Sequence, residues 1–244
     1  MNQTLVLQSH THPLPVKWLE SCIHSVKAWA ELNQFDYQFI GDELFDYISN
    51  KLVEKTNRQR VIATDLARLK ALQKYLQKEY STVIWCDADF LIFAPDRFIL
   101  PQDSYAVGRE VWIQQNEKQK LSAYIKVHNA FMMFRRGNTF LDFYTDTAER
   151  LLTLNNGSMP AQFIGPKLLT AIHNIAQFPV LETAGMLSPM VIKDMAQQTG
   201  AALDMFQHHS PQPIAAANLC SSLYQRGETR ESEIERCINN LQHS

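Results

Sequence analysis

Two aspartates, Asp87 and Asp89, carry the most specific chemical signal in the sequence. They flank Ala88 within the segment TVIWCDADFLIF, so both follow an apolar run directly. In an extended chain, residues i and i+2 project to the same side, and we therefore expect the two carboxylates to converge. Adjacent carboxylates repel each other unless a cation lies between them, and oxygen ligands favour Mg²⁺ or Mn²⁺. The triplet predicts a divalent-metal site that can bind the two phosphates of a nucleotide diphosphate.

An Asp-x-Asp triplet is common by chance, and two other interpretations compete with a metal site. The first is a solvated acidic loop, but two charges within so apolar a segment cost stability unless something binds them. The second is a phosphatase-type motif in which the first aspartate is a nucleophile. That motif is expected after the first strand with a threonine shortly behind it, whereas Asp87 lies mid-chain and is followed by Phe90. The metal site is favoured over both.

Asp65, Arg68 and Asn129 are further candidates for binding a polar ligand. Asp65 and Arg68 are three positions apart on a predicted helix, and hence lie on one face. Arginine is always charged and makes paired hydrogen bonds to phosphates and hydroxyls, so a ligand-binding role is favoured over the alternative, an N-cap aspartate in a local surface ion pair. Asn129 begins an apolar strand, where it either caps a loop or binds hydroxyl groups.

Lys167 and the pair His208-His209 are weaker candidates. Lys167 follows Gly165-Pro166 at a predicted helix start, where backbone amides favour phosphate, but a solvated lysine is the alternative. His208, ahead of His209, is a candidate metal ligand because imidazole suits Mn²⁺. The alternative for both histidines is an exposed position in a polar loop.

Alternating strands and helices must position these residues. Apolar runs predict strands at residues 4–8, 35–41, 82–85, 105–107 and 130–134. Helical spacing predicts helices at residues 18–32, 42–49, 60–80, 139–154, 165–175 and 228–241. This order indicates an α/β fold with a mostly parallel sheet covered on both faces. Ligands of such sheets bind outside the carboxyl ends of the strands, which is where the triplet falls.

Length and composition limit the class of protein. The 244 residues suit one domain, residues 1–244, and the net charge of −2 lacks the basic surface that nucleic acid requires. The four cysteines form no C-x-x-C pair, which disfavours zinc and favours a reducing compartment. No segment has the pattern of a signal peptide or the roughly 18 apolar residues of a transmembrane helix. We expect a cytoplasmic protein, with a peripheral position at the inner membrane face left open, and the oligomeric state is undetermined.

The region around the triplet resembles the DXD-containing glycosyltransferases of the sugar-binding-region type, glycosyltransferase family 32 and its relatives. Residues 63–68 (ATDLAR) match the family's S-D-x-x-R element, and residues 85–89 (WCDAD) match its Asp-x-Asp element. Three later segments also resemble family segments: Asn129 followed by an apolar strand, Gly165-Pro166 with Leu169-Thr170, and His208-His209-Ser210. The family's Gly-Gly before the strand is absent from residues 77–82.

The resemblance implies a GT-A (Rossmann-like) fold and a nucleotide-sugar donor, with UDP-sugar favoured and Mn²⁺ or Mg²⁺ as cofactor. It implies transfer of a hexose to a hydroxyl of a glycan, a lipid-linked glycan or a protein, with retention of configuration and a role in polysaccharide biosynthesis. The implied site residues are Asp87, Asp89 and Arg68 for catalysis; Asp65, Arg68, Asp87, Ala88, Asn129 and Lys167 for the donor; and Asp87, Asp89 and His208 for the metal.

Two other functions remain open from the sequence. A nucleotidyltransferase on a similar sheet is one, although residues 5–15 lack the glycine-rich phosphate loop that it normally shows. A non-catalytic nucleotide-sugar-binding protein is the other, and the intact pair of aspartates argues against it.

Overall fold

The computed structural model of the protein describes residues 3–56, 59–160 and 162–243. Its strands are β1 Thr4–Ser9, β2 Asp36–Ile40, β3 Thr82–Cys86, β4 Phe90–Ile92, β5 Tyr105–Gln115, β6 Leu121–Arg135, β7 Val180–Leu181, β8 Ala184–Met186 and β9 Ala216–Asn218. Its α-helices are α1 Trp18–Leu32, α2 Asn50–Lys55, α3 Arg60–Lys78, α4 Phe140–Leu154, α5 Pro166–Ala176, α6 Pro189–Gln197, α7 Ala201–His209, α8 Ser221–Tyr224 and α9 Glu231–Gln242.

Six strands form the main sheet in the order β2-β1-β3-β6-β5-β7. The β1–β2, β1–β3 and β5–β7 pairs are parallel, and only β6 runs against its neighbours β3 and β5. Three further strands form a small sheet in the order β4-β9-β8. The predicted α/β class, a Rossmann-like and mostly parallel sheet flanked by helices, is confirmed.

Helices cover both faces of the main sheet, because the side chains of its central strands are apolar on both sides. Helices α3, α4 and α5 pack on one face, where Leu66 and Leu72 meet Val83 and Trp85. Helix α1 packs on the other face, where Trp29 meets Ile84. None of the helices in the described ranges combines the length and apolar composition that a membrane crossing requires.

Helix α3 is the element that brings Asp65 and Arg68 to the sheet. Its apolar residues recur at helical spacing and are fully buried, as at Leu66 and Leu69. Asp65 and Arg68 belong to the same buried face, so the alternative interpretation, a local surface ion pair, does not apply.

The β5–β6 hairpin and the C-terminal helices form a third packed region beside the main sheet. Val111 and Ile113 of β5 pack there with Val191 of α6, Phe206 of α7 and Ile234 of α9. The small sheet connects this region to the triplet, since Phe90–Ile92 follows it directly and pairs with Ala216–Asn218. Two distant parts of the chain therefore meet at Asp87 to Asp89.

Candidate active site

The triplet forms a tight turn at the carboxyl end of β3. The Phe90 amide donates to the Asp87 carbonyl oxygen (3.0 Å), and the Asp87 amide donates to the Ala130 carbonyl on β6 (2.8 Å). The expectation of an extended Asp87–Asp89 segment is therefore wrong, because the chain must turn here to pass from the main sheet into the small one. Ala88 lies inside this turn and is buried.

Arg68 holds the Asp87 carboxylate from the α3 side. Its Nη1 donates to Asp87 Oδ1 (2.8 Å) and to the Asn129 carbonyl oxygen (3.1 Å), and its Nη2 lies 2.8 Å from Asp65 Oδ1. The indole Nε1 of Trp85 donates to the same Asp87 oxygen (2.7 Å). The guanidinium also lies over the Trp85 ring, 5.3 Å from its centroid. One oxygen of Asp87 is therefore fixed by two donors.

Asp65 and Asn129 form the buried end of this cluster. Asn129 Nδ2 donates to Asp65 Oδ1 (2.9 Å), and both residues are at most 5% exposed. Gly165, just before α5, packs so closely that an added Cβ would lie 2.6 Å from Asp65 Oδ2 and 2.9 Å from Asn129 Nδ2. Asp65 Oδ2 and Arg68 Nε are buried and have no hydrogen-bond partner among the described residues. The cluster thus retains unused hydrogen-bonding capacity, which native interiors rarely leave unexplained.

Asp89 is held from the opposite side by the C-terminal part of the chain. Asn218 Nδ2 donates to Asp89 Oδ1 (2.6 Å), and the Ser221 amide at the start of α8 donates to Oδ2 (2.7 Å). The Leu219 amide donates to the Asp89 carbonyl oxygen (2.9 Å). Each aspartate of the triplet is therefore oriented by a different set of neighbours.

The charges at this site do not balance. Asp65, Asp87 and Asp89 contribute three carboxylates, whereas Arg68 is the cation bound to two of them. Burial raises the pKa of Asp87, and the charge of Asp89 raises it further, against the lowering effect of Arg68. Burial likewise raises the pKa of Asp65. A divalent cation would neutralise the excess negative charge.

The oxygen atoms present suit a hard divalent cation. Asp87 Oδ2 has no hydrogen-bond partner among the described residues, and its side chain is 26% exposed. Both Asp89 oxygens accept one hydrogen bond each and keep a second lone-pair position. Mg²⁺ typically binds one or two carboxylates and completes its shell with water and substrate phosphates. The described residues bring no three His, Cys, Asp or Glu side chains together for a metal, which is compatible with that mode.

Lys167 and the histidines lie outside the cluster. Lys167 is exposed in the first turn of α5, two positions after Gly165. His208 and His209 are exposed at the end of α7, where their rings contact each other at 5.1 Å. No described metal-binding group contains His208. The metal role of His208 remains a prediction that its position does not support.

Three residues that support the triplet carry no sequence signal. Gln8 of β1 is fully buried and donates to the Asp87 carbonyl oxygen (3.0 Å), while its own Oε1 accepts from Tyr37 (3.0 Å). Trp85 and Asn218 bind the two aspartates directly, but both occur within apolar strands and look like core residues. Asn218 lies 129 positions after Asp89, so only the fold shows the contact.

His128 is a fourth supporting residue, and it connects the small sheet to the triplet. Its Nδ1 accepts from the Ala130 amide (3.1 Å), so Nε2 carries the hydrogen and donates to the Ala184 carbonyl of β8 (3.1 Å). The Ala130 carbonyl in turn accepts from the Asp87 amide. Burial lowers the pKa of His128 to about 4, and nearby Arg109 contributes. Any side chain at position 108 would displace His128, since an added Cβ at Gly108 would lie 2.1 Å from the imidazole ring.

Comparisons with known proteins return distant structural similarity. No protein-family model and no curated protein matches the chain. The galactosyltransferase LgtC, in complex with donor and acceptor sugar analogs, aligns over 98% of this chain and 95% of its own at 13% identity and a TM-score of 0.49. A glycosyltransferase involved in glycosylation of the major capsid of PBCV-1 aligns over 99% and 100% at 9% identity and a TM-score of 0.44. Mouse xyloside xylosyltransferase 1 aligns over 90% and 98% at 12% identity and a TM-score of 0.43. Likenesses this distant identify neither a family nor an activity, so the resemblance to family 32 remains a prediction.

Proposed function

We propose that the protein is a metal-dependent glycosyltransferase of the GT-A type, with residues 1–244 as one catalytic domain. It transfers a hexose from a nucleotide-diphosphate sugar, with UDP-sugar favoured, to a hydroxyl of a glycan, a lipid-linked glycan or a protein. The observation that carries this proposal is the cluster at the carboxyl end of β3. Three carboxylates there face one guanidinium, in the position where sheets of this class bind ligands.

Asp87 and Asp89 are the residues that would hold Mn²⁺ or Mg²⁺. When bound, such an ion supplies positive charge to the diphosphate as the glycosidic bond breaks. Arg68 and Trp85 fix one Asp87 oxygen, which leaves the other without a protein partner among the described residues and free to bind the ion. Asn218 and the Ser221 amide each bind one oxygen of Asp89 and so orient its carboxylate. These fixed contacts reduce the reorganisation that binding a charged donor would otherwise require.

The proposed donor side of the site is formed by Asp65, Arg68, Ala88, Asn129 and Lys167. Asp65 and Arg68 are covered in this conformation, so their first role is to orient Asp87. Direct contact of Asp65 with donor hydroxyls requires Gly165 to move away from it. The exposed Lys167, beside Gly165 in the chain, is suited to pair with a phosphate. With retention of configuration, an oxygen of the departing phosphate accepts the acceptor proton, so no separate base is assigned.

The proposal is tested by measuring UDP release from UDP-glucose and UDP-galactose with Mn²⁺, with Mg²⁺ and with EDTA. We expect metal-dependent hydrolysis that Asp89→Asn lowers by on the order of 100-fold or more. Asp204→Asn, at an exposed position of α7, is the matched control and should retain full activity. Folding of each variant is checked by circular dichroism. Full activity in a folded Asp89→Asn variant would refute the metal role, and absence of nucleotide-sugar binding in a thermal-shift assay would refute the function.

A further inference from the structure

One face of the β5–β6 hairpin carries side chains that the proposed donor site does not use. Residues directly opposite each other in an antiparallel pair share a face, and three such pairs follow one another here. They are Glu110 with Lys126, Trp112 with Tyr124, and Gln114 with Ser122. The other face packs into the protein core through Val111 and Ile113. We call the first set the hairpin face.

The hairpin face presents two aromatic rings to solvent. Tyr124 is 37% exposed, and Trp112 is half-buried. Neither ring contacts another aromatic ring among the described residues, so neither is held in an aromatic pair. The Trp112 indole Nε1 donates to Gln114 Oε1 (3.0 Å), and the Lys126 ammonium lies 5.9 Å from the Tyr124 centroid. Large aromatic side chains with accessible rings typically mark a binding surface.

The polar groups around these rings suit a neutral ligand rich in hydroxyls. Lys126 Nζ lies 3.7 Å from Glu110 Oε1, so the two charges offset each other and the face has little net charge. Gln114, Ser122 and Lys126 supply both hydrogen-bond donors and acceptors. A pyranose ring has an apolar face of C–H bonds that stacks on aromatic rings, and a rim of hydroxyls. An anionic ligand such as a nucleic acid would find no excess positive charge here.

Buried contacts connect the hairpin face to the neighbourhood of the triplet. His128 and Gly108 are the next opposed pair along the same face, and His128 binds the Ala184 carbonyl of β8. Strand β8 pairs with β9, whose Asn218 holds Asp89.

We propose that the hairpin face is the acceptor subsite, and that it binds a neutral saccharide by stacking on Trp112 and Tyr124. This inference rests on the proposed function, and it selects a glycan over a protein side chain or a lipid phosphate as the group next to the donor. Lys126, paired with the buried Glu110, would contact the sugar hydroxyls closest to the donor site.

The tryptophans of the chain provide a selective probe for this subsite. Trp18, Trp29 and Trp85 are at most 2% exposed, which leaves Trp112 as the main target of an aqueous quencher. We would measure acrylamide quenching of tryptophan fluorescence with and without lactose, maltotriose, cellobiose and methyl glucosides. We expect at least one saccharide to protect Trp112, and Tyr124→Ala to weaken that saccharide about tenfold. Phe143→Ala, which removes an exposed ring from α4, should leave saccharide binding unchanged.

The outcomes separate this inference from the proposed function. Saccharide protection without any response to UDP and Mn²⁺ would retain the subsite and refute the glycosyltransferase. Binding of UDP and Mn²⁺, together with no saccharide protection in the whole set, would refute the subsite alone. A protected Trp112 whose saccharide affinity does not change in Tyr124→Ala would also refute it. Concentration-dependent dimerisation that buries Trp112 would assign the face to a second copy of the chain and overturn the inference.

Discussion

An arginine pairs with carboxylates at two places in this protein, and the two clusters differ in how completely the hydrogen bonds satisfy their charges. Arg109 of β5 pairs with Glu182 through two parallel hydrogen bonds, Nε to Oε2 (2.8 Å) and Nη2 to Oε1 (2.6 Å). Its Nη1 donates to the Lys126 carbonyl oxygen (3.3 Å). One cation faces one carboxylate, both side chains remain partly exposed, and the guanidinium geometry matches the carboxylate.

Arg68 divides its hydrogen bonds between two carboxylates and leaves part of the cluster unsatisfied. Asp65 and Asp87 each accept one bond from it, and Arg68 Nε and Asp65 Oδ2 remain without partners among the described residues. The Arg68 and Asp65 side chains are only 6% and 2% exposed, so this arrangement costs more free energy than the Arg109 pair.

The contrast supports the proposal that the Arg68 cluster binds a ligand. A cluster that only stabilises the fold satisfies its charges within the protein, as Arg109 and Glu182 do. A cluster that keeps excess negative charge and unused hydrogen-bonding atoms beside an accessible carboxylate is stable only if the rest of the fold enforces it. We therefore expect equal substitutions in the two clusters to have unequal effects on activity.

The strongest test of this contrast compares Arg68→Lys with Arg109→Lys. Lysine retains the positive charge but cannot bridge two carboxylates as a guanidinium does. We expect Arg68→Lys to lower metal-dependent hydrolysis of UDP-glucose by on the order of 100-fold, because Asp87 loses its fixed orientation. Arg109→Lys should retain activity per folded molecule and lower the unfolding free energy by about 1–2 kcal/mol. Equal activity losses in the two variants would remove the distinction between the clusters.

Regular, strongly apolar elements were predictable from the sequence. The prediction for α1 has the observed bounds, Trp18–Leu32, and α3 begins at Arg60 as predicted. Strands β1 and β3 were placed within one residue at either end. In these elements the periodicity of burial dominates, because one helix face or both strand faces are covered by the core.

The hairpin and the C-terminal region were predicted poorly, for two physical reasons. Strands were expected at 105–107 and 130–134, whereas β5 continues to Gln115 and β6 begins at Leu121. Polar residues on the open hairpin face, such as Glu110 and Gln114, interrupt the apolar run. Strands β7, β8 and β9 have only two or three residues, which is too short for an alternating pattern to appear.

Local spacing placed the proposed site residues on the observed elements but did not reveal their contacts. Asp65 and Arg68 share a helix face, and Asp87 ends a buried strand, as expected. The turn at the triplet depends on the Ala130 carbonyl, and the orientation of Asp89 depends on Asn218, so both require tertiary contacts. The sequence also gave no reason to expect the two aspartates to bind separate sets of neighbours.

The second test concerns His128, which lies between the two clusters. Its pKa is lowered from 6.5 to about 4 by burial and by Arg109, so the unfolded chain binds more protons than the folded one between these values. The neutral imidazole therefore stabilises the protein fully above about pH 6.5, and this stabilisation is lost as the pH falls toward 4. At about 1.4 kcal/mol per pKa unit, the loss is on the order of 3 kcal/mol.

The measurement is urea unfolding of the wild type and of His128→Gln from pH 7 to pH 4. Other titrating groups are common to both proteins, so the difference in unfolding free energy isolates His128. We expect the stability advantage of the wild type to shrink as the pH falls. A difference that stays constant across this range would show that His128 does not titrate as its burial requires.

The smallest expected effect is that of Gly165→Ala, which tests how closely the Arg68 cluster is packed. The new Cβ would lie 2.6 Å from Asp65 Oδ2, so Asp65 or α5 must shift. We expect a loss of about 1–2 kcal/mol in unfolding free energy, and about a tenfold loss in kcat/KM for donor hydrolysis as the displaced Asp65 releases Arg68. Gly157→Ala is the matched control, because its nearest contact would be 3.7 Å away. If Gly165→Ala lowers stability but leaves donor hydrolysis unchanged, Asp65 is only a structural partner of Arg68, as Glu182 is of Arg109. The expected difference in activity between the two clusters would then depend on the contact of Arg68 with Asp87.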